Sequence, residues 1–133
     1  MTEQYLDKNV FMSQIEVDMM DLCHEAYAAR DLLEKPLTNK EINIGPTSWR
    51  SMIITTPDQK YEKAVTLVYF DGHPHYSRVR SRRDNEINTR LTEMGWTVLR
   101  FLYRRNTKKL RLIFLQSIIE TVNEKIIKKG EMK

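Results

Sequence analysis

The residues best suited to chemistry lie together in the middle of the chain. Asp71 is followed at once by Gly72, and two imidazoles come next at His73 and His75. Asp71 also follows directly on the run 65–70, whose apolar residues predict a strand covered on both faces. Since ligand sites of open α/β sheets form where buried strands end, the spacing indicates a site there. A simple turn is the alternative interpretation of the Asp-Gly pair.

Basic residues are concentrated after this point. Residues 1–71 carry 7 Lys or Arg against 12 Asp or Glu, whereas residues 72–133 carry 15 against 6, which gives the net charge of +4. The arginine fork suits phosphate, so the cluster favours contact with nucleic acid over a merely solvated surface. The candidate nucleic-acid-binding residues are Arg78, Arg80, Arg82, Arg83 and Arg100.

A long helix is predicted over 10–34. Apolar residues such as Ile15, Met19, Ala26 and Leu33 recur at helical spacing, and Pro36 ends the pattern. Five acidic residues lie off this stripe, and one of them could face a site. They are Glu16, Asp18, Asp21, Glu25 and Asp31.

The remaining elements follow from local patterns. Strands are predicted over 40–44, 49–56, 65–70 and 96–102, with a polar loop at 60–63. The segments 84–94 and 108–129 have the apolar spacing of helices, and Gly95 is typical of a helix stop. With the first helix, the order is therefore α-β-β-β-α-β-α in one domain, 1–133. The run from 65 to 102 should form a parallel crossover, with a helix on each face of the sheet.

Composition excludes several classes of protein. With 133 residues, 41% hydrophobic and 30% charged, the chain has the balance of a folded globular domain. Its apolar runs are too short to cross a bilayer, so no membrane partner is expected. The lone Cys23 predicts neither a disulfide nor a cysteine-based zinc site, and residues 1–4 show no start of a secretory signal. We therefore expect a cytoplasmic, intracellular protein.

The segment 71–101 resembles one family. The pattern D-G-x-x-H, then an Asp opening a helix, then L-x-x-x-G-W-x-V-L-R-F is similar to the very-short-patch-repair-like (Vsr-like) branch of the PD-(D/E)XK nuclease superfamily. The residues that carry this resemblance are Asp71, Gly72, His75, Asp84, Leu91, Gly95, Trp96, Val98, Leu99, Arg100 and Phe101.

The resemblance implies a restriction-endonuclease-like three-layer sandwich around a small mixed sheet. It also implies a hydrolase that cleaves DNA phosphodiester bonds with Mg²⁺ or Mn²⁺. On this basis Asp71 would be the metal-side carboxylate, and His75, with His73 as a possible partner, would handle protons. The further acid would be Glu16, Glu25 or Asp58, with Asp58 as a second metal ligand. DNA is the expected partner, and a homodimer is possible.

Three positions depart from the family pattern. Tyr69 stands where a carboxylate is common, and the expected acid of the preceding strand falls at 51–53, which reads Ser-Met-Ile. Ile87 stands where an arginine is often found. A nuclease domain that binds DNA without cutting it is therefore the second hypothesis. A module whose arginines bind an acidic protein partner is the third.

Overall fold

The computed structural model describes residues 14–37, 57–72 and 78–131. These residues form a mixed α/β arrangement of three helices and three strands. In chain order the elements are α1 (Gln14–Ala28), β1 (Gln59–Tyr61), β2 (Thr66–Asp71), α2 (Arg78–Glu93), β3 (Thr97–Leu102) and α3 (Lys108–Glu131). The strands predicted over 40–44 and 49–56 lie outside the described residues.

The three strands form one mixed sheet in the order β1-β2-β3. β1 runs antiparallel to β2, with Gln59 opposite Val68, and β3 runs parallel to β2, with Tyr69 opposite Arg100. The predicted parallel crossover through α2 is therefore confirmed. Every residue of β2 is buried, as expected for an apolar strand in the middle of a sheet.

Alternate residues of β2 face different helices. Val68 and Phe70 belong to a large apolar cluster with residues of α1 and α3. Leu67 and Tyr69 pack instead with Leu91 of α2. Because side chains alternate along a strand, the helices cover both faces of the sheet, as predicted.

The polar loop predicted at 60–63 is wrong in its first half. Gln59–Tyr61 is a strand whose three residues are all buried, and only 62–65 forms the turn. Lys60 extends over the ring of Trp96, with its Nζ 5.4 Å from the ring centroid, and also pairs with Glu62 at 3.6 Å. Lys60 thus finds both an aromatic and an acidic partner, which the sequence pattern does not indicate.

α1 ends six residues before the predicted Glu34. Arg30 adopts a left-handed conformation with φ of 68°, and its N–H donates to the carbonyl of Tyr27 at 3.0 Å. The N–H of Asp31 donates to the carbonyl of Ala26 at 2.8 Å, which completes a Schellman ending. As a result the buried leucine after the helix is Leu32, whereas the predicted Leu33 is 44% exposed.

The other two helices are close to their predicted ranges, with one exception. α2 begins at Arg78, six residues before Asp84, so Asp84 lies inside the helix instead of opening it. Nothing between 78 and 83 is a helix breaker, and the arginines there favour a helix. Gly95 ends this helix region with φ of 99°, as predicted. α3 starts at the predicted Lys108, where the Thr107 side chain accepts the N–H of Leu110 at 3.2 Å.

Candidate functional site

Asp71 is the last residue of β2, and its side chain is almost fully buried. The residue is 3% exposed, and its carbonyl accepts the N–H of Tyr103 at 3.1 Å, just beyond the end of β3. The carboxyl ends of the two parallel strands therefore meet at Asp71. This is the edge of the sheet at which the sequence predicts a site.

Arg100 of β3 neutralises this carboxylate. Its Nη1 lies 3.1 Å from Oδ1 and 2.9 Å from Oδ2 of Asp71, with 14% and 4% of the respective side chains exposed. The Nε of Arg100 donates to Oδ1 of Asn88 on α2 at 2.8 Å. The buried pair therefore joins β2, β3 and α2, and the loss of either partner would leave a charge with poor solvation.

Tyr69 forms the floor beneath this pair. The guanidinium carbon of Arg100 lies 4.0 Å from the centroid of the Tyr69 ring, which is a close cation–π contact. Tyr69 is opposite Arg100 in the register and is 3% exposed. The aromatic ring of Tyr69 thus supports the cation of Arg100 at this position.

Two further candidate acids meet beside β2. Asp58 precedes β1, its N–H donates to the carbonyl of Val68 at 2.9 Å, and its Oδ2 accepts the N–H of Phe70 at 2.8 Å. The carboxyl groups of Asp58 and of Glu16 on α1 share a hydrogen bond. Three of the sequence-predicted site residues, Glu16, Asp58 and Asp71, therefore come from separate elements to one region.

The electrostatics of Asp58 reflect this crowding. Burial raises the pKa of its carboxyl well above the ordinary value, and the negative charge of Glu16 raises the pKa further. The hydrogen bond from the N–H of Phe70 acts in the opposite direction, and the charge of Asp71 makes a smaller upward contribution. Burial and the charge of Glu16 consequently both favour the protonated form of the Asp58 carboxyl group.

Among the off-stripe acids of α1, the structure separates Glu16 from Asp18. Asp18 accepts hydrogen bonds from Asn106 at 2.9 Å and from Gln14 at 2.8 Å, and these bonds lower the pKa of its carboxyl. Asn106 in turn accepts a bond from Nη1 of Arg111 at 2.6 Å. Asp18 thus joins α1 to the start of α3, whereas Glu16 joins Asp58.

Several predicted residues cannot be placed at the site. His73 and His75 lie outside the described residues. Arg78, Arg80, Arg82 and Arg83 lie on the first two turns of α2, but their side chains are outside the described part of the structure. Arg100 is placed, and it lies beside Asp71 as expected for a residue at the same edge.

Asn88 was missed by the sequence interpretation. It is an ordinary polar residue on an exposed helix, and its role appears only because α2 brings it to Arg100. Within the three described ranges, no group of three histidine, cysteine or acidic side chains is arranged to hold a metal ion. The metal prediction therefore remains a prediction.

Comparisons with protein-family models, with curated proteins and with solved structures find no match to this chain. In the described part of the chain, no helix is long and apolar enough to cross a membrane.

Proposed function

We propose that this chain is a metal-dependent DNA endonuclease of the PD-(D/E)XK type with a restriction-endonuclease-like fold. The observation that carries the proposal is the contact between the carboxyl groups of Asp58 and Glu16 beside the end of β2, where Asp58 accepts the N–H of Phe70 at 2.8 Å and is affected by the charge of Asp71. Each comes from a different part of the chain, and packing of the apolar core does not require acidic residues at this place. Clustered carboxylates at such an edge suit binding of a cation beside a phosphate.

The arrangement of the elements is consistent with this fold. A leading helix is followed by an antiparallel strand pair, then by a parallel crossover and a final helix, with helices on both faces of the sheet. This order also agrees with the resemblance carried by residues 71–101. Because one fold can serve many functions, the proposal depends on the acidic residues more than on the order of the elements.

Asp58 and Glu16 are the residues that fit a divalent cation. Mg²⁺ commonly takes one or two protein carboxylates and completes its coordination with water and substrate phosphate. An ion bound by these two carboxyl groups would supply charge stabilisation and an activated water. Asp71 would add negative charge next to the Asp58 and Glu16 carboxyl groups. It also holds Arg100 at the same edge of the sheet.

The second candidate function is DNA binding without cleavage. The observation that favours it is the pairing of Asp71 with Arg100, which already satisfies both carboxylate oxygens. An Asp71 committed in this way is less available to a metal ion. The same pair would still place a guanidinium near a bound phosphate.

Cleavage of supercoiled plasmid in Mg²⁺ or Mn²⁺ tests the two functions. Asp58→Asn and Glu16→Gln should each lower the cleavage rate by more than about 100-fold, since even residues that only support metal ligands cost about 10–100-fold. Asp21→Asn is the matched control, because it removes an exposed carboxylate of the same helix α1. It should retain cleavage.

Two outcomes would count against the endonuclease. Cleavage that persists in Asp58→Asn and in excess chelator would remove the acids from the mechanism. No cleavage by the wild-type chain, together with DNA binding that weakens as salt rises, would favour the second function.

A further inference from the structure

A basic segment connects β3 to α3. Between 104 and 109 the chain reads Arg-Arg-Asn-Thr-Lys-Lys, with four cations and no acid. All six residues are exposed, and the first turn of α3 likewise contains no acidic residue. The segment is therefore a strongly positive surface of the described structure.

The backbone of this basic segment is held close to the candidate acids from two sides. At its start, the N–H of Tyr103 donates to the carbonyl of Asp71 at 3.1 Å. In its middle, Asn106 donates to Asp18 at 2.9 Å, and Asp18 lies two residues after Glu16 in the first turns of α1. The segment thus passes from the Asp71 edge of the sheet to the Glu16 end of α1 along a fixed path.

The cations of the basic segment are poorly explained by stability alone. Lys108 and Lys109 occupy the first turn of a 24-residue helix, where the positive end of the helix dipole disfavours cations. Arg111, one turn further, differs from them because it bonds to Asn106 at 2.6 Å and lies 3.8 Å from Asp18. A negatively charged partner would turn the unfavourable placement of the two lysines into a favourable one.

We infer that the basic segment 104–109 is a surface that binds the phosphate backbone of DNA next to the candidate acids. The inference rests on the proposed function and specifies where its substrate lies. Fully extended, six residues span at most about 20 Å, which is enough to pass several phosphates of one strand. Charge complementarity, exposure and the fixed path beside Asp71 and Glu16 all favour a polyanion over an apolar partner.

The test compares two triple variants, one in the basic segment at the start of α3 and one at the end of α3. Arg105→Gln/Lys108→Gln/Lys109→Gln removes three of the four cations of the basic segment, and Lys125→Gln/Lys128→Gln/Lys129→Gln removes the same charge at the other end of the helix. A helix of 24 residues is about 36 Å long, so the control charges lie far from the acids. Affinity for a labelled 20-base-pair duplex is measured by fluorescence anisotropy over a range of salt, with chelator present to prevent cleavage. Circular dichroism verifies that both variants are folded.

The basic-segment variant should bind more weakly, and its plot of log affinity against log salt should be less steep by about 2.7, or about 0.9 for each lost phosphate contact. The control should keep the wild-type slope. If both variants behave alike, the inference is wrong while DNA binding by the chain stands. If the wild type itself binds no DNA, the proposed function fails and the inference fails with it. A lower slope in the basic-segment variant alone, in a chain that does not cleave plasmid, would support the inference and reject only the cleavage.

Discussion

The two faces of β2 differ sharply in what covers them. Val68 and Phe70 contact a broad apolar cluster supplied by α1 and α3. On the other face, Leu67 and Tyr69 meet α2 through Leu91, and the row ends in the buried Asp71 carboxylate. We call these the larger and the smaller face. The comparison indicates that the larger face supplies most of the stability, while the smaller face carries charged groups that a stable core would not require.

The largest expected effect is the loss of unfolding free energy when one buried side chain on each face is shortened to alanine. Ile118 on the larger face and Leu91 on the smaller face are both 0% exposed and have the same number of carbon atoms. Ile118→Ala should lower the free energy of unfolding by about 4 kcal/mol and Leu91→Ala by about 2–3 kcal/mol, since fewer neighbours surround Leu91. Urea unfolding measures both values. Equal losses would mean that the smaller face is packed as well as the larger one.

The second effect concerns the ion pair of the smaller face. Arg100→Met leaves Asp71 buried without its cation and should cost about 3 kcal/mol, at the low end for a buried pair because Arg100 is partly exposed. Adding Asp71→Leu should recover most of this loss, since no unpaired charge remains. The control Arg90→Met, which changes an exposed arginine of α2, should cost less than about 0.5 kcal/mol. If the double variant were no more stable than Arg100→Met, the contribution of the Asp71–Arg100 pair to stability would exceed charge compensation.

The smallest effect concerns polar groups within the larger face. The Tyr61 hydroxyl donates to Oε1 of Gln59 at 2.7 Å, and the Cys23 thiol lies 3.6 Å from the same oxygen. Burial raises the pKa of both the Cys23 thiol and the Tyr61 hydroxyl. In the unfolded chain the thiol has its ordinary pKa of 9.0, so from pH 8 to pH 10 the unfolded state binds fewer protons than the folded state.

Stability should therefore fall as pH rises through this range. For the thiol alone the decrease is about 1 kcal/mol, and Cys23→Ala should lose that much less between pH 8 and pH 10. Urea unfolding at the two pH values measures the difference. An identical pH dependence in wild type and Cys23→Ala would show that the thiol ionises as easily in the folded core as in water.

Local pattern predicted the elements whose signal is self-contained. β2 and β3 are continuous apolar runs, and Gly95 has the conformational freedom that a helix ending requires. The pattern failed where tertiary contacts decide the structure. β1 is a strand because β2 pairs with it, although its residues are polar, and α1 ends at an arginine in a left-handed conformation that no sequence rule assigns.

The candidate site follows the same division. Asp71 and Arg100 could be predicted to lie at one edge because parallel strands bring their ends together. The selection of Glu16 among the acids of α1 depends on which helix face meets Asp58, and Asn88 depends on how α2 packs over β3. Neither fact is contained in residue spacing, since both require two distant segments to be positioned first.

The side-chain hydrogen bonds of Asn123 on α3 affect which helix should separate first in partial unfolding. Its side chain donates to the carbonyl of Asp31 at 2.7 Å and accepts the N–H of Leu33 at 2.9 Å, so one amide holds the chain that leaves α1. These hydrogen bonds connect α1 to α3 in addition to the apolar contact between the two helices. Partial unfolding should begin with the release of α2, which exposes the Asp71–Arg100 pair to water while the other two helices remain on the sheet.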